Sequence, residues 1–272
     1  MLSDLPIPST EASKSLSPGV GVVLSGGGVR GVGHLGVLQV MEECGIYPAY
    51  ISGTSAGALV GAFYAAGHSI QTTFEFFKNT PIFKPSHFYT RKPGLIDTDR
   101  FIPILKEYFP EDDFLALQRK LYVTATDLIH GRSKTFHEGE LIKPLLASAA
   151  LPVVFSPVEI GGTLYTDGGA LNNFPVEPLT GQCDVIVGIN VHPLKDTLPE
   201  HIRSTFGVLE RIFHLTVFYQ SVQKYHLCNL TIVPQGLASV RTLERGRFEE
   251  IFEMGYQAAH EKRADLMALK ST

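Results

Sequence analysis

Cysteine is scarce in this sequence: only Cys44, Cys183 and Cys228 occur, and they lie far apart. They have neither the close spacing of cysteine metal ligands nor the pattern of a disulfide framework, so the sequence predicts neither a cysteine-ligated metal site nor disulfides. Three isolated thiols are typical of a reducing compartment, and we therefore expect a cytoplasmic protein.

Long apolar runs and an excess of one charge are also missing. No window reaches the roughly 18 apolar residues that a membrane span requires. Residues 1–18 are rich in Ser and Pro and contain no apolar segment of the length that a secretory signal needs, which predicts a flexible N-terminal tail. The formal net charge is -4, which argues against a nucleic-acid partner.

The rest of the chain shows an α/β pattern without an internal linker, so we expect one domain over residues 19–272. Short β-branched runs, such as residues 20–24 and 185–191, alternate with segments of helical spacing. Those segments include residues 32–43, 202–225 and 243–269. The alternation predicts a mainly parallel sheet with helices on both faces.

Glycine is concentrated after the first predicted strand, in the stretch VVLSGGGVRGVGHLGVL. Gly26, Gly28 and Gly31 match G-x-G-x-x-G, but the acidic residue that a dinucleotide site needs about 20 residues later, at the end of the next strand, is missing. A P-loop is excluded because no Gly-Lys-Ser/Thr follows. Consecutive glycines can instead turn their N–H groups toward one point, so we favour an oxyanion hole.

A second motif, GTSAG, fits G-x-S-x-G and lies between a short predicted strand, residues 50–52, and a predicted helix, residues 56–66. This context is the one that a nucleophile elbow requires, in which a sharp turn lifts the hydroxyl of Ser55 clear of the sheet. Gly53 and Gly57 would keep side chains out of the turn. A glycine-rich turn with a capping serine would give the same pattern.

A serine nucleophile needs a base, and two candidates follow it along the chain. Asp167 precedes Gly168 and Gly169, which let its carboxylate approach a partner closely, although Asp-Gly-Gly is often only a tight turn. A carboxylate beside the serine could accept its proton if burial raised the pKa of that carboxylate. His192 would complete the order Ser, Asp, His of the α/β-hydrolases, but the histidine of that fold usually lies later in the chain.

Three motifs in one order, SGGGVRG, GTSAG and DGG, resemble the patatin-like phospholipases, a family of acyl hydrolases. The resemblance covers about residues 20–190 and includes the stretch SAALPVVFSPV before the aspartate. It implies a three-layer α/β/α sandwich and a Ser–Asp dyad, with Ser55 as the nucleophile and Asp167 as the base. It assigns the oxyanion loop to Gly26, Gly27, Gly28, Arg30 and Gly31.

The resemblance implies a lipid acyl hydrolase that cleaves fatty-acyl esters of phospholipids or lysophospholipids, with no metal and no cofactor. Two alternatives stay open: an acyltransferase on a related core, and an adaptor that kept the fold with little activity. Related acyltransferases carry a histidine before the elbow serine, where this chain has Thr54. The oligomeric state and the lipid that is cleaved are not predicted.

The segment KNTPIFKPSHFYTRKPGL, residues 78–95, intersperses aromatic residues with basic ones. This pattern suits the boundary of an anionic membrane, so we expect a lipid-facing loop and peripheral membrane contact. A connecting loop whose aromatic side chains pack onto the core would explain it equally well.

Overall fold

The central strands of the sheet form from sequence runs whose side chains are buried on both faces of the sheet. The computed structural model describes residues 17–80, 92–244 and 246–269. Within these residues the strands are β1 Ser17–Leu24, β2 Pro48–Thr54, β3 Lys120–Asp127, β4 Arg132–Phe136, β5 Val158–Ile160, β6 Thr163–Asp167, β7 Val185–Ile189 and β8 Leu230–Ile232. They form one sheet in the order β5-β6-β3-β2-β1-β7-β8, and β4 pairs with β3.

The helices are α1 Val32–Glu43, α2 Ala56–Ala65, α3 Ile70–Asn79, α4 Ile102–Tyr108, α5 Ile142–Ser148, α6 Thr205–Val222, α7 Phe248–Glu261 and α8 Arg263–Leu269. Helices α1 to α6 lie between strands along the chain, and α7 and α8 follow β8. Helix α1 packs between the sheet and α7, and its contact with α7 is close because Gly36 lies against the backbone of Phe252 and Gly255.

The sheet has a thick helical layer on one face and a thinner layer on the other. Val22 and Leu24 point into the main core, whereas Val23 between them joins a smaller cluster with Phe174, Leu179 and others. Strands β1, β2, β3, β7 and β8 run parallel, and only β4, β5 and β6 are antiparallel to their neighbours. The predicted α/β/α sandwich with a mainly parallel sheet is confirmed.

One sequence-based expectation about the elements was wrong, and the sequence did not indicate one of the strands. The single helix expected over residues 243–269 is two helices, α7 and α8, which break at Lys262. Ala259 and Leu266, seven residues apart on either side of the break, are both buried, so the helical spacing of apolar residues continues across it and does not reveal it. Strand β4 was not expected, since its exposed sequence RSKTF lacks an apolar run.

Strand register brings the ends of three strands together. Leu24 at the end of β1 lies opposite Gly53, and Thr54 at the end of β2 lies opposite Thr124. Strand β3 extends three residues past this point, and β6 pairs with that overhang so that Asp167 lies opposite Ala125. The loops that follow β1, β2 and β6 therefore meet at one edge of the sheet.

Candidate active site

Ser55 occupies a strained turn between β2 and α2. Its φ is 55° and its ψ is -126°, a left-handed conformation that L-residues adopt rarely. The turn is closely packed: a Cβ on Gly53 would lie 2.6 Å from the carbonyl oxygen of Gly57. A Cβ on Gly57 would collide with the carbonyl oxygen of Leu24. The two glycines of the motif are therefore needed for this backbone geometry.

Ser55 and Asp167 are hydrogen-bonded to each other. Ser55 Oγ donates to Asp167 Oδ2 at 2.7 Å, and the other carboxylate oxygen, Oδ1, accepts from the backbone N–H of Gly169 at 2.8 Å. Asp167 is almost fully buried, at 3% exposure. Burial raises the pKa of Asp167 from 3.8 to about 6, and the hydrogen bonds from Ser55 and Gly169 offset part of that rise. The carboxylate is thus more basic than an ordinary aspartate and is already in contact with the serine hydroxyl.

Hydroxyl side chains on neighbouring elements hold the two loops. Ser148 at the end of α5 accepts from the backbone N–H of Ser55 at 2.8 Å and donates to the carbonyl oxygen of Thr124 at 2.6 Å. Thr126 donates to the carbonyl oxygen of Asp167 at 2.9 Å. These bonds connect the serine turn and the aspartate to β3, so their separation is fixed by the sheet.

The glycine loop after β1 passes beside Ser55 and leaves two N–H groups without a partner among the described residues. The N–H of Gly26 donates to the carbonyl oxygen of Asn173, and that of Val29 donates to the carbonyl oxygen of Thr242. No hydrogen bond within the described part of the chain occupies the N–H groups of Gly27 and Gly28. These two are therefore the donors of this loop that a ligand can use.

Close approach explains why the loop is built from glycine. A Cβ on Gly26 would lie 3.2 Å from Cβ of Ser55, and one on Gly31 would lie 2.5 Å from Cβ of Ala56. Gly28 has a φ of +60°, and a Cβ there would collide with the carbonyl oxygen of Thr242. Gly168, after Asp167, packs in the same way against the carbonyl oxygen of Thr124.

Arg30 is buried below the glycine loop and bonds to the chain segments around it. Its Nε donates to the carbonyl oxygen of Val240 at 2.8 Å, and its guanidinium donates to Nδ1 of His192 at 3.1 Å. The ring of His192 packs edge-on against that of His214, with 4.7 Å between the ring centroids. Burial, together with the charge of Arg30 and the neighbouring His214, holds the pKa of His192 well below its usual range. Because an arginine only donates, His192 accepts this bond as a neutral ring and does not bond to Ser55.

A cavity of about 370 Å³ adjoins Ser55, Asp167, Gly27, Gly28 and His192. Most of its other described lining residues are apolar and come from α2 to α7 and the segments around them. Among them are Leu59, Phe76, Phe101, Leu146, Phe155, Phe213 and Phe248. This volume lies in the range of small-molecule sites, and the lining suits an apolar ligand.

The structure thus brings together the residues of the three motifs and His192, and it adds three residues that reasoning on the sequence missed. Ser148 lies in the SAALPVVFSPV stretch, so the motif was noted without a role for its first serine. Asn173 follows the DGG motif without being part of it, and its carbonyl oxygen accepts from the N–H of Gly26. Thr242 carries no motif, and only the fold places it against Gly28.

Comparison with known proteins agrees with this architecture. The family model for patatin-like phospholipases matches residues 22–180, which is more than half of the chain. The chain belongs to the patatin-like phospholipase family. An uncharacterized NTE family protein of Mycobacterium tuberculosis is 30% identical over 193 residues, covering 68% of this chain and 54% of that protein. The lysophospholipase NTE1 of Kluyveromyces lactis is 25% identical over 288 residues, covering 89% of this chain and 19% of that protein.

Among solved structures, VipD from Legionella pneumophila has the same fold, with a TM-score of 0.60 at 16% identity, over 92% of this patatin-like chain and 67% of that one. The chain spans about half the length of the mycobacterial relative and about a fifth of the fungal one. The family assignment therefore applies to the domain that carries the motifs.

The described residues also bear on membrane spans, metal binding and the candidate lipid-facing loop. None of the helices in the described ranges is long and apolar enough to cross a membrane. Within the same ranges, no group of three or more His, Cys, Asp or Glu side chains is arranged to hold a metal ion. The candidate lipid-facing loop of this patatin-like chain lies mostly at residues 81–91, outside the described residues.

Proposed function

We propose that this chain is a serine lipid acyl hydrolase that cleaves fatty-acyl esters of phospholipids or lysophospholipids through an acyl-Ser55 intermediate. The observation that carries the proposal is the 2.7 Å hydrogen bond from Ser55 Oγ to Asp167 Oδ2. The bond joins a serine in a strained strand-to-helix turn to a buried carboxylate whose pKa is raised to about 6. A base with a pKa near the working pH combines proton affinity with a large ionised fraction.

In the first step Asp167 Oδ2 takes the proton of Ser55 as Oγ bonds to the ester carbonyl carbon. The carbonyl oxygen becomes an oxyanion, which accepts hydrogen bonds from the N–H groups of Gly27 and Gly28. The tetrahedral intermediate collapses, the bond between the acyl carbon and the leaving alkoxide breaks, and the alkoxide takes the proton from Asp167. The products of this half-reaction are an alcohol and acyl-Ser55.

In the second step Asp167 accepts a proton from water as the water oxygen bonds to the acyl carbon. The same N–H groups hold the second oxyanion, and Ser55 leaves with the proton returned by Asp167. The free fatty acid and the starting enzyme result. The dyad needs no histidine in either step, because one carboxylate serves as base and then as acid.

The nature of the ligand follows from the cavity. Its apolar lining beside Ser55 suits an acyl chain, and membership of a phospholipase family together with a relative named lysophospholipase supports a phospholipid or lysophospholipid. Such substrates reside in membranes, so we propose peripheral contact with a lipid surface, and the three isolated cysteines favour the cytoplasm.

The two alternatives have less support. An acyltransferase of the kind considered carries a histidine before the elbow serine, whereas Thr54 here donates to the carbonyl oxygen of Asn172 and serves to hold the loop. An adaptor would have no need for a strained serine bonded to a basic carboxylate, since strain of this kind costs on the order of 1–3 kcal/mol.

Labelling with a fluorophosphonate probe tests the nucleophile. The wild-type chain should be labelled and should hydrolyse a short soluble ester, and Ser55→Ala should lose both while keeping its melting temperature within a few degrees. Ser133→Ala, which removes an exposed serine on β4, is the matched control and should behave as wild type. Equal labelling of Ser55→Ala would contradict the assignment, and a wild-type chain that neither labels nor hydrolyses would favour the adaptor.

A further inference from the structure

Five large apolar side chains of helix α6 lie on the side that faces away from the protein. Val208, Leu209, Ile212, Tyr219 and Val222 are between 38% and 59% exposed. At 3.6 residues per turn these five positions lie on one side of the helix, which we call the outer face of α6. A helix on a globular surface normally shows the opposite arrangement, with its polar residues outward.

The outer face also carries little charge. The only charged residues in α6 are Glu210, on the opposite side of the helix, and Arg211, at the border of the outer face next to Val222. Arg211 donates to the backbone carbonyl oxygen of Lys195. Contiguous apolar surface of this kind on a water-soluble fold marks a place where another apolar surface binds.

The opposite side of α6 is part of the candidate active site. Phe213 lines the cavity beside Ser55 and Asp167, and its ring tip lies 3.5 Å from the position that a Cβ on Gly169 would occupy. His214 Nε2 lies 3.0 Å from Oγ1 of Thr242, which also lines the cavity. One helix therefore separates the cavity from an exposed apolar surface.

The apolar surface continues from α6 to the loop that carries the base. Gln220 Nε2 donates to the carbonyl oxygen of Ala170 at 3.4 Å, and the next residue, Leu171, is 44% exposed. At the other end of the helix, Leu198 and Ile202 precede α6 and are also exposed. The surface thus adjoins the loop after Asp167 and extends along the whole helix.

We propose that the outer face of α6 is the surface by which this protein docks onto a phospholipid bilayer. The inference rests on the proposed function, because a lipid substrate has to pass from the bilayer into the cavity. Docking through α6 would put the cavity wall formed by Phe213 directly above the lipid. A contact between two copies of the chain would instead cover this helix and keep it away from the lipid. Because Arg211 at its border is the only charged residue of α6 near the outer face, docking depends mainly on apolar burial and changes little with salt.

The test uses two double variants in the Ser55→Ala background, so that no lipid is consumed. Leu209→Gln with Ile212→Gln removes two side chains from the outer face, and Leu115→Gln with Met267→Gln removes two equally apolar, exposed side chains that lie outside α6. Co-sedimentation is measured with vesicles of phosphatidylcholine and phosphatidylglycerol at low and high salt. We expect the α6 variant to lose vesicle binding about tenfold or more, the second variant to bind as its parent, and salt to change little.

Three results would overturn the proposal. One is that the parent protein does not sediment with vesicles, and another is that the α6 variant binds as well as its parent. The third is a dimer, detected by analytical ultracentrifugation, that Leu209→Gln with Ile212→Gln abolishes while vesicle binding persists, which would assign the outer face to a second copy.

Hydrolysis of a short soluble ester by the same variants with Ser55 intact keeps the two proposals distinguishable. The α6 variant should retain this activity and lose only turnover on vesicles. If the wild type fails to cleave the soluble ester but binds vesicles through α6, the proposed function fails and the docking surface stands.

Discussion

Replacing Asp167 with asparagine should lower the activity of the protein and raise its stability. Asparagine keeps both hydrogen bonds: its carbonyl oxygen can accept from the N–H of Gly169, and its amide can donate to Ser55 Oγ in place of the hydroxyl donation seen here. What the substitution removes is the negative charge and the ability to take a proton.

The magnitude follows from the pKa of the buried carboxyl. A folded-state value of about 6 against 3.8 for the exposed group means that ionising Asp167 destabilises the native state by about 3 kcal/mol, at 1.36 kcal/mol for each pH unit. The native state binds the proton more tightly, so the free energy of unfolding is highest at low pH and falls as the pH rises from about 4 to 6. Above that range the full penalty applies to the wild type and is absent from Asp167→Asn.

Urea unfolding at pH values from 4 to 8, together with ester kinetics, measures both effects. We expect Asp167→Asn to be more stable than wild type by up to about 3 kcal/mol at pH 8, with the difference vanishing near pH 4. Its kcat should fall by roughly 10²- to 10⁴-fold, the range expected for loss of a general base. The wild-type kcat/KM should rise with pH and reach half of its plateau near the pKa of Asp167, about 6.

Asp196→Asn, which neutralises an exposed carboxylate, is the control for the change in net charge and should alter neither curve. The reasoning would be refuted if Asp167→Asn unfolded with the same pH dependence as wild type, or if it kept kcat within a few-fold of wild type.

Two further substitutions test the glycine loop and the choice of base. Gly28→Ala should lower kcat on a soluble ester by roughly 10²-fold or more, because a Cβ there meets the carbonyl oxygen of Thr242 and displaces an N–H donor. Gly131→Ala, at a similar φ of +63° but with open space around it, should lose only stability, and equal kcat values for the two variants would argue against the oxyanion role. His192→Ala should lower kcat far less than Asp167→Asn, since His192 bonds to Arg30 rather than to Ser55. Equal losses in these two variants, measured on the same ester, would restore a triad with His192.

The parts of the site that the sequence predicts are those with local physical causes. A left-handed turn between a strand and a helix needs small neighbouring residues. Gly53 and Gly57 therefore allow the backbone conformation of Ser55 to be predicted from a five-residue motif. The glycine loop is equally local, because close approach and a positive φ at Gly28 exclude other residues. The order of the three motifs then indicates the family, which the match over residues 22–180 confirms.

The parts that could not be predicted depend on tertiary contacts. Helical spacing over residues 202–225 predicts a helix, and α6 is there, but periodicity alone does not say which side of a helix faces the core. Strand β4 forms because β3 offers it a free edge, although its own sequence is polar. The contact of Thr242 with the glycine loop depends on how the chain returns from β8, which no short motif encodes.

The bond between Ser55 and Asp167 depends on the part of β3 that extends beyond β2 and pairs with β6. Ser55 and Asp167 are 112 residues apart in the chain, and their bond exists only when β2, β3 and β6 have paired in register. A slip of β6 by one residue would turn Asp167 to the other face of the sheet. A contact between residues this distant in the chain requires the loop-closure entropy of the intervening segment to be lost. The reactivity proposed for Ser55 therefore requires all three strands to be paired in register.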